Sequence, residues 1–238
     1  MGQSPSHPEL LDWLANEFPR LGGSWKRLHR LILTSSVYRQ ASRPSSDPAA
    51  DADNRLLARF PRRRLEGEAI RDALLAASGQ INRQAGGPGF RPPLPSELVR
   101  TLLKDQWPVT PNAAEHQRRS VYLFARRNLR YPLFEVFDKP DANASCPRRN
   151  VSTIAPQSLL LLNGDDAVAA ARRLAEWFGQ HAGANRHSAI DWAYRRVLSR
   201  PPTQAELDSA DEFLSDSDAT LADLCLALFN LNEFVYLD

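Results

Sequence analysis

Apolar residues recur at helical spacing through most of the chain. Leu10, Leu11, Leu14 and Phe18 mark one face of a first predicted helix, with Ser6 as its cap, Pro8 in its first turn and Glu9 closing a capping box. Gly22-Gly23 ends it, and Ser24 opens a second helix whose stripe is Trp25, Leu28, Leu31, Ile32 and Tyr38, so the pair predicts a helical hairpin. A Ser, Pro and Asp-rich linker over 41–50 leads to a short predicted helix over 54–60. Leu65, Ala69, Ile70, Ala73, Leu74 and Ala77 then predict a helix that Gly79 terminates, on which Arg64 and Glu68 stand four apart and can pair. Beyond residue 156 the pattern is helical throughout: 157–162, 165–177, 189–198, a helix behind the Thr203/Glu206 capping box that ends near Leu214, and a last one over 221–231. The last presents Leu224, Cys225, Leu228 and Phe229 to the core.

Two stretches break this rhythm. Glycines and prolines prevent a continuous element over much of 80–117, apart from a short helix over 96–103; a loop of that length is expected to cover something, as a lid or docking arm, or to be a variable insertion. Residues 118–127, RRSVYLFARR, alternate apolar side chains on two faces and predict a strand, and 129–137 a helical turn or extended segment. The expected fold is therefore mainly α: a single helical domain over 1–238, built as a multi-helix bundle, with at most a small β element near 119–125 and a long Pro/Gly-rich loop.

Composition narrows the class. With 42% hydrophobic and 24% charged residues over 238 positions, the chain is neither a fibre nor a disordered tail, and no run of 18 apolar residues exists to span a bilayer. The first eight residues lack the basic and apolar stretches of a signal peptide. Net charge is +2, but residues 1–199 hold 29 basic and 19 acidic side chains, whereas 200–238 hold one basic and nine acidic. An acidic end packed on an arginine-rich body is the simplest expectation.

Candidate chemistry concentrates between Asp138 and Asn150, where Asp138, Lys139, Asp141, Asn143, Cys146, Arg148 and Arg149 gather, with Arg126, Arg127 and Arg130 upstream. Guanidinium forks clasp carboxylate or sulfate, and Asp and Asn accept sugar hydroxyls, so these groups can form a ligand site; equally, they can form a salt-bridge network that fixes a loop. Asp138 and Asp141 are the pair to consider for acid–base hydrolysis, although neighbouring arginines would lower both pKa values. Cys146 and Cys225 form no metal or CxxCH spacing; they can pair as a disulfide in an oxidising compartment or remain free. The five histidines make no HxxxH or HExxH pair, so no metal site is expected, and no nucleic-acid module is recognisable.

The phrases HPELLDWLANEF, SWKRLHRLILTSSVYRQ, NRLLARFPRRRLEGEAIRDALLAASG, RRSVYLFARRN, FEVFDKPDANASCPRRNVSTIAPQSLLLLN, YRRVLSRPPTQAEL and LFNLNEFVYLD, in that order, resemble the domain of unknown function 1553 (DUF1553), a family typical of planctomycetes. The resemblance implies the carboxyl-terminal domain of a larger extracytoplasmic protein, periplasmic or at the cell surface, whose upstream part resembles a cytochrome c module. Haem c is implied only for that upstream module, and no cofactor for this chain. The family pattern normally continues upstream of Gly2, so the chain reads as N-terminally truncated. No catalytic residue is implied. The candidate ligand-binding set is Arg126, Arg127, Asn128, Asp138, Asp141, Asn143, Arg148 and Arg149. The expected role is a non-catalytic binding or assembly module whose partners are the upstream domains. The alternative is a carbohydrate-active hydrolase or carbohydrate-binding domain that takes an acidic or neutral glycan on the 138–149 loop.

Overall fold

The computed structural model describes residues 4–42, 51–103, 105–181 and 185–237; most of the predicted 41–50 linker lies outside them. Among the described residues the helices are α1 (Pro8–Arg20), α2 (Trp25–Leu33), α3 (Gly67–Ala77), α4 (Ser96–Arg100), α5 (Pro132–Val136), α6 (Ala155–Asn163), α7 (Asp165–His181), α8 (Arg186–Leu198), α9 (Gln204–Phe213), α10 (Leu221–Phe229) and α11 (Asn232–Val235). Regular sheet is confined there to β1 (Arg63–Arg64) and β2 (Tyr236–Leu237). The protein is mainly α. It divides into two units, one holding residues up to Arg63 with those from Tyr236 onward, the other running from Arg64 to Val235.

In the first unit, Pro8 opens α1 and His7, not Ser6, is its N-cap. The Ser6 hydroxyl is engaged with the His7 ring at 2.9 Å and caps nothing. Ser24 does cap α2, accepting from the Arg27 N–H. The turn between the helices uses Gly22 and Gly23 at φ +72° and +65°, where a side chain would be strained. Neither helix contains a buried residue, and Trp25 is 65% exposed. No helix forms over 54–60: Asn54 and Leu57 adopt left-handed φ, and the Asp51 carboxylate takes the Arg55 and Leu56 N–H groups into a turn.

The second unit is organised around α7, which packs on α3, α6, α8 and α10. Its inward residues Ala167, Ala170, Ala171, Leu174 and Phe178 follow helical spacing, and the alanines permit close approach of neighbouring helices. Leu224, Cys225, Leu228 and Phe229 face inward from α10, as the sequence pattern requires. The Thr203/Glu206 capping box forms at the start of α9, and Thr220/Asp223 builds a second at α10. Arg200, the sole basic residue of the acidic end, grips Glu206 and Glu233 at 2.7 and 2.6 Å, while Asp211 lies 3.6 Å from Arg186 of α8, so the segment pairs both within itself and with the basic body.

Residues 118–127 form no strand. They contain a 3-10 turn at Ser120–Tyr122 and touch the preceding loop through single parallel bridges, Asn82 with Arg118 and Phe90 with Leu123. The reason lies in which side chains turn inward: Val121 is 72% exposed while Arg118 is 1% exposed. The Arg118 guanidinium holds the carbonyls of Gly86 and Pro88 and the Glu115 carboxylate, stapling the 80–117 loop to the body. Trp107 Nε1 donates to the Pro92 carbonyl at 2.7 Å, and the main chains of Arg91 and Thr110 pair, so that loop folds back on itself.

Candidate functional site

Asp138 sits at φ +60° just after α5, where the chain must reverse. Its carboxylate accepts from Arg64 at 2.8 Å and from both the N–H and the hydroxyl of Ser152 at 2.8 Å. Arg64, which lies in β1 and outside α3, spans the loop by donating also to the Ser152 and Phe137 carbonyls, and Gln157 adds bonds to the Val136 and Ser152 carbonyls. The expected Arg64–Glu68 pair is therefore not made. Burial alone would raise the Asp138 pKa, but the Ser152 and Arg64 hydrogen bonds outweigh it and hold the carboxyl below its ordinary value.

The other members of the predicted constellation separate. Arg149 reaches back to α3, contacting Glu68 at 2.9 Å and Glu66 at 3.1 Å; Lys139 lies 3.7 Å from Glu68. Burial opposes ionisation of Glu68, yet Arg149 and Lys139 leave its pKa lowered. These groups line an open groove of about 710 Å³ with Asp72 and Arg119. Asp141 closes a turn on Asn143 and lies 3.7 Å from Arg130, while Arg126 is tied to the Gln106 carbonyl. Arg127, Asn128 and Arg148 are exposed. No disulfide joins the cysteines: Cys146 is exposed in the loop and donates to the Arg148 carbonyl, whereas Cys225 is sealed on α10, its thiol pushed up to about 12 by burial. Among the described residues no group of His, Cys, Asp and Glu is arranged to hold a metal, and no helix is long and apolar enough to cross a membrane.

A different pocket, of about 460 Å³, was not anticipated from the sequence. Pro92, Pro93, Leu94 and Pro95 of the long loop form one wall; Leu75, Leu133 and Leu160 supply further apolar surface; Tyr131, His116, Asp165 and Asp166 bring polar groups. Residues 92–95 of the 80–117 loop are thus part of this pocket's lining. The Tyr131 hydroxyl donates to Asp166 at 2.8 Å. Burial raises the pKa of Asp166 despite the compensating field of Arg71 and the Tyr131 bond, and burial with the Asp166 charge raises that of Tyr131. Arg71, 3% exposed on the inner face of α3, commits its terminal nitrogens to the carbonyls of Arg118 and His116 and to the Ser120 hydroxyl.

A family model described as PSD1, protein of unknown function (DUF1553), matches residues 1–214. The chain belongs to the DUF1553 family. No curated protein sequence and no solved structure matches it. The DUF1553 match takes in both the Asp138 loop and the Asp166 pocket, whereas Glu233, which Arg200 grips, lies beyond it. One signal in the sequence pointed toward the pocket: Arg71 falls on the inward stripe of Gly67, Ile70 and Leu74, where a charge must find buried partners.

Proposed function

We propose that this DUF1553 chain is a non-catalytic binding and assembly module of an extracytoplasmic planctomycete protein, working beside upstream domains that include c-type cytochrome modules. The observation that carries this reading is the use of the 138–149 charges as joints: Asp138 is clamped by Arg64 and Ser152, and Arg149 by Glu66 and Glu68. A glycosidic acid–base pair needs two accessible carboxyl groups with pKa values driven apart. Asp138 and Asp141 are instead both lowered, by Ser152 and Arg64 in one case and by the Asn143 N–H in the other. Haem c belongs to the upstream modules in this scheme, since the chain has no CxxCH.

A glycan-binding role is the second reading, favoured by the exposure of Arg127, Asn128 and Arg148. Calorimetric titration with neutral, acidic and sulfated glycans, run beside reducing-sugar assays, separates the readings. The module reading expects no turnover. Hydrolysis that disappears in Asp138→Asn or Asp141→Asn, with unchanged helical circular dichroism, overturns it. Saturable glycan binding lost in the Arg148→Ala, Arg149→Ala double variant establishes the second.

A further inference from the structure

The 460 Å³ pocket has an unbalanced polar lining. The Tyr131 hydroxyl spends its proton on Asp166, so it offers a ligand only lone pairs. His116 Nε2 lies 2.8 Å from the Thr110 carbonyl, which can only accept, so its N–H is spent there and not on a ligand. Asp165 adds a second carboxylate at the exposed rim. The one guanidinium of the lining, Arg71, is buried and its terminal nitrogens are committed. An anion would meet two carboxylates, and the guanidinium has only its buried Nε–H left to offer. A neutral polyol would bring acceptors as well as donors, and the donors left for it are the amides of Gln80, Gln117 and Asn163 and the buried Arg71 Nε–H. A ligand that donates and does not accept matches the walls, and an ammonium group has three N–H donors and no lone pair. In the same lining, Leu75, Pro92, Pro93, Leu133 and Leu160 suit hydrocarbon, in a volume typical of small-ligand sites.

We infer that this pocket binds a small organic cation, a protonated primary amine on an apolar body, with the ammonium held between Asp166 and Asp165 and the hydrocarbon against the proline wall. The cation offsets the burial that opposes ionisation of Asp166. Acidification weakens binding, because Asp166 gains its proton; Asp165, Tyr131 and the fixed charge of Arg71 face the carboxyl, and His116 shares the lining. The inference adds a ligand class to the module reading and fails separately from it, since that reading is decided by turnover and glycan binding at the 138–149 loop.

Titration calorimetry of the full chain with benzylamine, benzyl alcohol and benzoate at neutral pH tests it, the three probes sharing one ring. Benzylammonium should bind about tenfold more tightly than benzyl alcohol, and benzoate should not bind. Asp166→Asn should weaken benzylammonium about tenfold, and Asp165→Lys, at the exposed rim and checked for unchanged helical circular dichroism, should weaken it in the same direction. Benzyl alcohol or benzoate binding as well as the amine, no measurable amine binding at millimolar concentration, or an affinity indifferent to Asp165→Lys overturns the inference.

Discussion

Asp138 and Asp166 belong to the same unit, each comes under the influence of a buried arginine, and their carboxyl groups are driven in opposite directions. Asp138 receives the Arg64 guanidinium directly at 2.8 Å, together with two bonds from Ser152. Asp166 receives only the Tyr131 hydroxyl, because Arg71 has spent its terminal donors on Arg118, Ser120 and His116. What separates a joint from a receptive site in this protein is thus where the arginine's hydrogen bonds go. A carboxylate saturated by donors fixes its loop; one left short of donors, against apolar walls, has capacity for a ligand.

The largest effect on this comparison should come from Arg64→Ala. It removes the cation facing Asp138, which keeps only its Ser152 bonds, and takes a donor from the Phe137 and Ser152 carbonyls, and urea denaturation should show a loss of roughly 3 kcal/mol. A loss no greater than that of an exposed charge would mean that the clamp does not hold the loop. Tyr131→Phe comes next, at about 1–2 kcal/mol, and it should raise the Asp166 pKa further by removing its donor; an unchanged titration would break the assigned pairing. The smallest effect is expected for Arg149→Ala, under about 1 kcal/mol, since this ion pair is more than a third exposed on the Arg149 side and screened by solvent. The acid limb of stability should divide in the same way. Asp138, lowered in the folded state, contributes stability that is lost as pH falls through its folded value; Asp166, raised, contributes stability on protonation that is lost as pH rises through its own.

Helices that bury a plain apolar stripe were legible in the sequence. The inward set of α10, the capping box of α9 and the Gly79 stop after α3 follow from local pattern, and the structure repeats them. Where long-range polar contacts decide, the pattern misleads. Residues 118–127 alternate like a strand, but Arg118 turns inward to hold the Gly86 and Pro88 carbonyls, 32 and 30 positions earlier. Arg64 stands four before Glu68, yet helical geometry begins only at Gly67, whose missing side chain leaves room for Phe137; Arg64 therefore serves Asp138, 74 positions away. Of the candidate residues, the 138–149 group was readable as a cluster in the chain but not as a set of separate joints. The Tyr131–Asp166 pocket was missed because its walls come from five separate stretches, and no spacing within any one of them announces the others.

The most direct test is an NMR titration of the Asp138 and Asp166 side-chain carboxyl carbons in the full chain. Asp138 should titrate below, and Asp166 above, the ordinary aspartate value of 3.8. Coincident titrations, or Asp166 titrating below Asp138, would contradict the distinction between a clamped joint and a donor-poor pocket.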